Sequence, residues 1–319
     1  MPARPLSHDA VADWLARRTY RAEDFPLERL IASKGATSVS LVLPTREVAD
    51  TLRPTLERLV PLRDAGLVDE LLVIDAASTD GTVAVAAEAG ARVVQEADVL
   101  AEHGPARGKG DAMWRALAVT HGDVVAFVDA DSADFDARFV LGLLGPLLTD
   151  DGVALVKGAY RRPLQVGAET LPDGGGRVTE LLARPLLNLH VPELAGFVQP
   201  LAGEVAGRRA LLEALPFPVG YGVEIAMLID AFRHAGLDAL AQVDLGTRQN
   251  VHQPLHALSA MAYAVLIAFE RRVVGAGDPE PAAPGPLLRP TPAGALARTD
   301  VRVDERPPLR TLRAAGGRG

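Results

Sequence analysis

The stretch Asp123-Val-Val-Ala-Phe-Val-Asp-Ala-Asp131 constrains the fold more than any other. Val124, Val125, Phe127 and Val128 are β-branched or aromatic, the residue types that strand interiors favour. The run is almost continuously apolar, so it predicts a parallel strand covered by helices on both faces. Asp129 and Asp131 are two apart, so an extended chain points both carboxylates to one side. They fall at the carboxyl end of the strand, where open α/β sheets bind ligands. Two acids there offer hard oxygen ligands to Mg²⁺ or Mn²⁺. The other reading is a turn, in which Asp hydrogen-bonds its own backbone as the strand ends.

Strand and helix patterns alternate around this stretch. Ser38–Pro44, Glu70–Asp75 and Ala91–Gln95 read as strands, each followed by a helix. Beyond it come a helix at Arg138–Leu148, a strand at Ala154–Arg162 and a late strand at Leu240–Gly246. A long helix is predicted over Leu255–Val273. The alternation predicts an α/β fold with a mainly parallel sheet. Residues 1–37 read as an N-terminal extension lying on the domain, with short helices at Asp9–Arg18 and Leu27–Ala32. From Gly275 onward Pro, Gly, Ala and Arg dominate without an apolar period, so residues 275–319 read as a flexible or loosely packed tail.

Composition narrows the function classes. A formal net charge of −8 argues against a nucleic-acid partner. The absence of cysteine excludes thiolate catalysis and Cys-ligated zinc. No apolar leader is visible at the N-terminus. The apolar run Ala257–Phe269 is too short to span a bilayer and reads as a buried helix or a subunit contact. A cytoplasmic protein without a membrane partner is expected.

Several candidate site residues converge once the sheet is drawn. Pro44 to Glu47, Asp75 and the Asp129/Asp131 pair all lie at carboxyl ends of strands, which share one edge. A nucleotide lying across that edge would meet Asp75 at its base or ribose. Arg107-Gly-Lys-Gly110 opens a helix whose N-terminus favours an anion. Gly174-Gly-Gly-Arg-Val-Thr179 offers free backbone N–H groups, a guanidinium and a hydroxyl, a phosphate cradle that Lys157, Arg161 and Arg162 would reinforce. Glu224 follows a Gly-Tyr-Gly turn, where a carboxylate either favours the helix N-terminus or holds sugar hydroxyls. His252 is either an exposed loop imidazole or a third metal ligand.

These motifs resemble a known family. Leu-Val-Leu-Pro, Asp-Ala-Ala-Ser-Thr-Asp-Gly, Arg-Gly-Lys-Gly-Asp-Ala-Met-Trp and Phe-Val-Asp-Ala-Asp resemble the nucleotide-binding half of GT-A glycosyltransferases, which have a Rossmann-like sheet flanked by helices. Leu-Val-Lys-Gly-Ala-Tyr-Arg-Arg-Pro-Leu, Gly-Gly-Gly-Arg-Val-Thr-Glu and Pro-Val-Gly-Tyr-Gly-Val-Glu-Ile narrow the match to the glucosyl-3-phosphoglycerate synthases, which are retaining enzymes. The resemblance implies a nucleotide-sugar-binding half over residues 38–152 and an acceptor-binding half with a dimerisation helix over 153–274.

It also implies transfer of glucose from UDP-glucose to the 2-hydroxyl of 3-phosphoglycerate, with Mg²⁺ or Mn²⁺, by a homodimer. The product would be a precursor of glucosylglycerate or methylglucose lipopolysaccharide. By the resemblance Asp129, Ala130 and Asp131 form the metal-and-diphosphate motif. Lys109 contacts the donor, and Pro44, Thr45 and Glu47 line the uridine site. Gly176, Arg177 and Thr179, with Arg161 and Asn250, grip the acceptor. Glu224 holds the donor glucose at the reaction centre.

Two departures stand out. Arg46-Glu47 occupies the place of the family's Asn-Glu one position early. The family's late metal-ligand histidine falls on Asn250, and His252 is the neighbouring candidate for that role. Two alternatives remain: another donor or acceptor, as in a mannosyl-3-phosphoglycerate synthase, or a noncatalytic sugar-nucleotide-binding module.

Overall fold

Eight strands build the central sheet in the computed structural model of the protein. It describes residues 8–132, 134–166, 169–172, 174–248, 253–273, 284–291, 294–301 and 303–316. The strands are β1 Thr19–Arg21, β2 Val39–Thr45, β3 Glu70–Asp75, β4 Arg92–Gln95, β5 Val124–Phe127, β6 Leu155–Arg161, β7 Val205–Arg208 and β8 Leu240–Thr247. Their spatial order is β1-β8-β6-β7-β5-β2-β3-β4. All pairings are parallel except those of β7, which runs antiparallel to β5 and β6. The expected mainly parallel sheet flanked by helices is therefore present. The chain steps outward from β2 to β3 and β4, then returns to place β5 on the other side of β2. Such a reversal opens a crevice at the carboxyl ends of the strands.

The longer helices are α1 His8–Arg18, α2 Leu27–Lys34, α3 Ala49–Asp64, α4 Thr82–Glu88, α5 Lys109–Val119, α6 Arg138–Thr149, α7 Arg184–His190, α8 Val223–Ala235, α9 Leu255–Val273 and α10 Leu309–Gly316. Strand β2 shows why its sequence reads as it does. Val39, Leu41 and Leu43 face one layer with Leu52 and Leu56 of α3 and Leu143 of α6. Val42 faces the other layer with Trp114 of α5 and Ile225 of α8. With both faces covered, the apolar side chains of both faces are buried, each worth roughly 1.5–3 kcal/mol, and the buried Ser40 and Thr45 hydroxyls are hydrogen-bonded to Glu70 and Asp75.

The structure revises three expectations. Residues 1–37 are more than an overlay, because β1 adds an edge strand beside β8. Trp14 is buried and donates to the carbonyls of Leu237 and Leu240, which fixes α1 to that edge. The strand carrying the acids ends at Phe127, so Asp129 and Asp131 stand in the irregular segment after it.

The third revision concerns the tail, which does not hang free in its described parts. Glu305–Arg306 pairs antiparallel with Phe217–Pro218. Leu287–Pro290 and Leu296–Thr299 form a hairpin, and α10 buries Leu309. Arg306 donates two bonds to the buried Asp111 of α5, from Nε at 2.9 Å and Nη2 at 2.6 Å. Specific polar contacts hold this segment, and they leave no apolar period to detect. Among the described residues no helix is long and apolar enough to cross a membrane.

Candidate active site

A cleft of about 810 Å³ opens at the carboxyl edge of the sheet. Two helix starts meet at its centre. Lys109 begins α5, and Glu224 lies in the first turn of α8. Gly110 lets them approach, because a Cβ there would fall 1.8 Å from the Pro218 carbonyl oxygen. Lys109 Nζ lies 2.5 Å from Asp129 Oδ1 and 3.3 Å from Glu224 Oε1. Gly203 lines the same place, and a Cβ there would sit 2.3 Å from both Lys109 Nζ and Asp129 Oδ2.

The electrostatics follow from this geometry. Burial alone would depress the Lys109 ammonium, but Asp129 and Glu224 outweigh it and hold it above its ordinary value. Burial would raise the Asp129 carboxyl, but Lys109, Arg248 and Arg162 hold it below the usual carboxylate range. Behind them lies Lys157, 1% exposed, which donates to the Ala202 carbonyl at 2.8 Å. Burial, opposed by Glu224 and reinforced by Lys109, brings its ammonium down to about 8.

Arg248 and Glu204 form a fully buried ion pair beside the two aspartates. Arg248 Nη2 is 4.0 Å from Asp129 Oδ2 and 3.9 Å from Asp131 Oδ1. The Asp131 carboxylate is 67% exposed, and no described residue donates it a hydrogen bond. An open carboxylate next to a paired one suits a hard divalent ion that completes its shell from water or substrate oxygens. Among the described residues no group of three acidic or histidine ligands forms a cage. His252 and Asn250 lie outside the described residues.

The remaining candidates divide. Pro44, Thr45, Ala130 and Asp131 line the cleft as expected. Asp75 is fully buried and saturated: it accepts from Thr45 Oγ1 at 3.0 Å, Ser78 N at 2.9 Å, Ser78 Oγ at 2.6 Å and Gln95 Nε2 at 3.1 Å. It ties three strand ends together and has little capacity left for a base or ribose. Glu47 is likewise spent: its carboxylate accepts from Thr79 N at 3.0 Å, Thr79 Oγ1 at 3.2 Å and Asp80 N at 3.1 Å. It sits at a φ of 52°, which turns its side chain onto that loop while Arg46 and Val48 face the cleft.

Arg161 is exposed at the end of β6, and its neighbour Arg162 faces the cleft instead. Successive side chains of an extended chain point to opposite sides, so the two neighbouring arginines meet different surroundings. Arg162 is braced by Tyr160, donating to its hydroxyl at 2.8 Å. The glycine loop sits against it, with Gly175 N donating to the Arg162 carbonyl at 2.8 Å. Gly176 takes a φ of 67°, Thr179 is buried, and Arg177 donates to the Gln253 carbonyl at 2.9 Å.

Sequence reasoning gave no site role to Arg248, Gly203 or Glu96. Glu96 had a signal available, since it directly follows a strand at the same edge. The other two depend on non-local packing and had none.

Comparison with known proteins agrees with this geometry. The family model described as glycosyl transferase family 2 matches residues 40–187. The glucosyl-3-phosphoglycerate synthase of Mycolicibacterium smegmatis is 45% identical over 304 residues, covering 94% of this chain and 98% of the relative. This chain belongs to the glucosyl-3-phosphoglycerate synthase family. Among solved structures, the synthase of Mycobacterium tuberculosis in complex with Mn²⁺, UDP-glucose and phosphoglyceric acid aligns with a TM-score of 0.79 and 43% identity, over 91% of this chain and 96% of that one. The mannosyl-3-phosphoglycerate synthase of Rubrobacter xylanophilus aligns with a TM-score of 0.86 and 47% identity, over 94% and 99%. Synthases named for two different sugars thus match this chain, the mannosyl one with the higher TM-score and identity of these two structures.

Proposed function

We propose that the protein transfers glucose from UDP-glucose to the 2-hydroxyl of 3-phosphoglycerate, giving glucosyl-3-phosphoglycerate and UDP. The observation that carries this is the Lys109–Asp129–Glu224 cluster beside the open Asp131 carboxylate, in a chain 45% identical to a synthase of that name. Asp129 and Asp131 would hold Mg²⁺ or Mn²⁺. When bound, the ion offsets the charge that develops on the departing diphosphate.

The chain's own residues do the rest. Lys109 places a fixed positive charge between donor and catalytic carboxylates, where preorganised electrostatics count most. Glu224, held by Lys109, faces the sugar. Arg162 and the Gly176–Arg177 segment with Thr179 supply cations and N–H groups for the acceptor's phosphate or carboxylate. The carboxylates lining the cleft among the described residues are Glu96, Asp129, Asp131 and Glu224. The two aspartates would hold the metal, Glu96 follows the end of β4, and Glu224 is ion-paired with Lys109. Retention is what the family resemblance implies, and with no carboxylate free to carry a covalent glycosyl-enzyme we read the transfer as occurring at the same face of the sugar. The protein acts in the cytoplasm as a homodimer, in which exposed Leu181, Leu189 and Leu255 find a partner surface. Its product feeds glucosylglycerate or methylglucose lipopolysaccharide synthesis.

The Rubrobacter relative favours a second reading, mannose transfer from GDP-mannose to the same acceptor. The two are separated by incubating the protein with each donor and 3-phosphoglycerate, and identifying the product by NMR. A glucosyl product of retained anomeric configuration supports the first reading. A mannosyl product alone replaces it.

A further inference from the structure

We propose that Glu96 reads the nucleobase of the donor, pairing with the uracil edge through two hydrogen bonds. The inference rests on the proposed use of a sugar nucleotide. The strand order divides the cleft. Lys109, Gly203 and Glu224 gather at its centre around Asp129, just past the end of β5, where the sugar and diphosphate belong. Thr45, Ala76 and Glu96 lie at or just past the ends of β2, β3 and β4, on the side of β5 away from β7, which leaves them the nucleoside.

On that side one acid is available. Thr45, Asp75 and Gln95 stand side by side in register at the ends of β2, β3 and β4. Asp75 is saturated by Thr45, Gln95 and two bonds from Ser78. Glu96 follows Gln95 in the chain. It is 8% exposed, it lines the cleft, and no described residue donates a hydrogen bond to its carboxyl. What exposure it has is to the cleft, so its hydrogen-bonding capacity is open to a ligand there.

The chemistry of the carboxyl matches one base better than another. A neutral carboxylic acid presents one acceptor and one donor side by side. Uracil presents N3–H beside a carbonyl, the complementary pair. An ionised carboxylate has acceptors only and suits guanine, which presents two adjacent N–H donors. The charged groups facing Glu96 are Asp111 and Arg115 from α5, Asp75 from the end of β3, and Arg46 after β2. Arg306 of the C-terminal segment binds the far side of Asp111. Burial and the Asp111 charge push the Glu96 carboxyl up to about 7 against the pull of Arg115, so both forms are accessible near neutrality.

The test is calorimetric binding of UDP-glucose and GDP-glucose, with Mg²⁺ and no acceptor, from about pH 6 to about pH 8.5. Intact sugar nucleotides carry no phosphate ionisation in that range. For the wild type, UDP-glucose affinity falls as pH rises through about 7, and GDP-glucose gains relative to it. Glu96→Gln presents one donor and one acceptor at every pH, so its UDP-glucose affinity stays level across the same range. Glu96→Ala weakens UDP-glucose about tenfold at the acid end. Wild-type and Glu96→Ala proteins that bind UDP-glucose alike, with the same pH profile, overturn the role of Glu96 alone. A wild type that binds neither sugar nucleotide overturns the donor reading as well.

Discussion

Lys109 and Asp129 close to 2.5 Å across a space that only a glycine at position 203 leaves open. The pair joins the start of α5 to the end of β5, the two elements that bring the donor motifs together. A methyl group at Gly203 would meet the far ends of two flexible side chains, not backbone. Gly203→Ala therefore leaves the fold intact and displaces the ion pair. We expect unchanged melting temperature and a fall in kcat of about a hundredfold, the usual scale for an ångström of misplacement. Thermal denaturation and steady-state kinetics on the same preparation check both halves.

Removing the cation itself is more severe. Lys109→Met keeps the length of the chain but leaves Asp129 and Glu224 facing one another without a counter-charge. We expect kcat to drop by about 10²–10³-fold. A variant that kept wild-type turnover would show that Lys109 only neutralises the cleft.

The C-terminal segment contributes to stability through Arg306. Its fork grips Asp111, a fully buried carboxylate. Arg306→Ala leaves Asp111 with Arg115 and the Arg107 N–H. Loss of one partner of a buried pair costs on the order of 2–3 kcal/mol. Urea denaturation measures this, and an unchanged midpoint would place the segment outside the folded unit.

The pH dependence of stability has a definite sign at Glu96. Its carboxyl is raised from an ordinary 4.5 to about 7, so the neutral form favours the fold. That stabilisation is fully present below about pH 4.5 and is lost as pH rises through about 7. Glu96→Gln stays neutral throughout, so its stability does not decline over this window. At pH 8 it should exceed the wild type by on the order of 2 kcal/mol. Denaturation at several pH values gives the two slopes directly.

Much of the fold was legible because its signals are local. The predicted helix Leu255–Val273 and strand Glu70–Asp75 match the observed elements residue for residue. Strand β7 was not, because Val205-Ala-Gly-Arg208 is short, contains glycine, and is defined only by pairing with β5 and β6. The edge rule brought Asp75 to the carboxyl edge of the sheet and Glu47 to the loop beyond it, but sequence does not count the donors that saturate each carboxylate. It also does not resolve a one-residue choice between Arg161 and Arg162, which depends on where β6 ends. Glu96 was reachable by the same edge rule and was passed over because it belongs to no recognisable motif.

The most direct test of the central claim is metal-dependent UDP release from UDP-glucose, with and without 3-phosphoglycerate, for the wild type and Asp131→Ala. Release that requires 3-phosphoglycerate and a divalent ion, and that collapses in Asp131→Ala, is the predicted result. Release that ignores 3-phosphoglycerate, or that persists undiminished without the Asp131 carboxylate, would contradict the account.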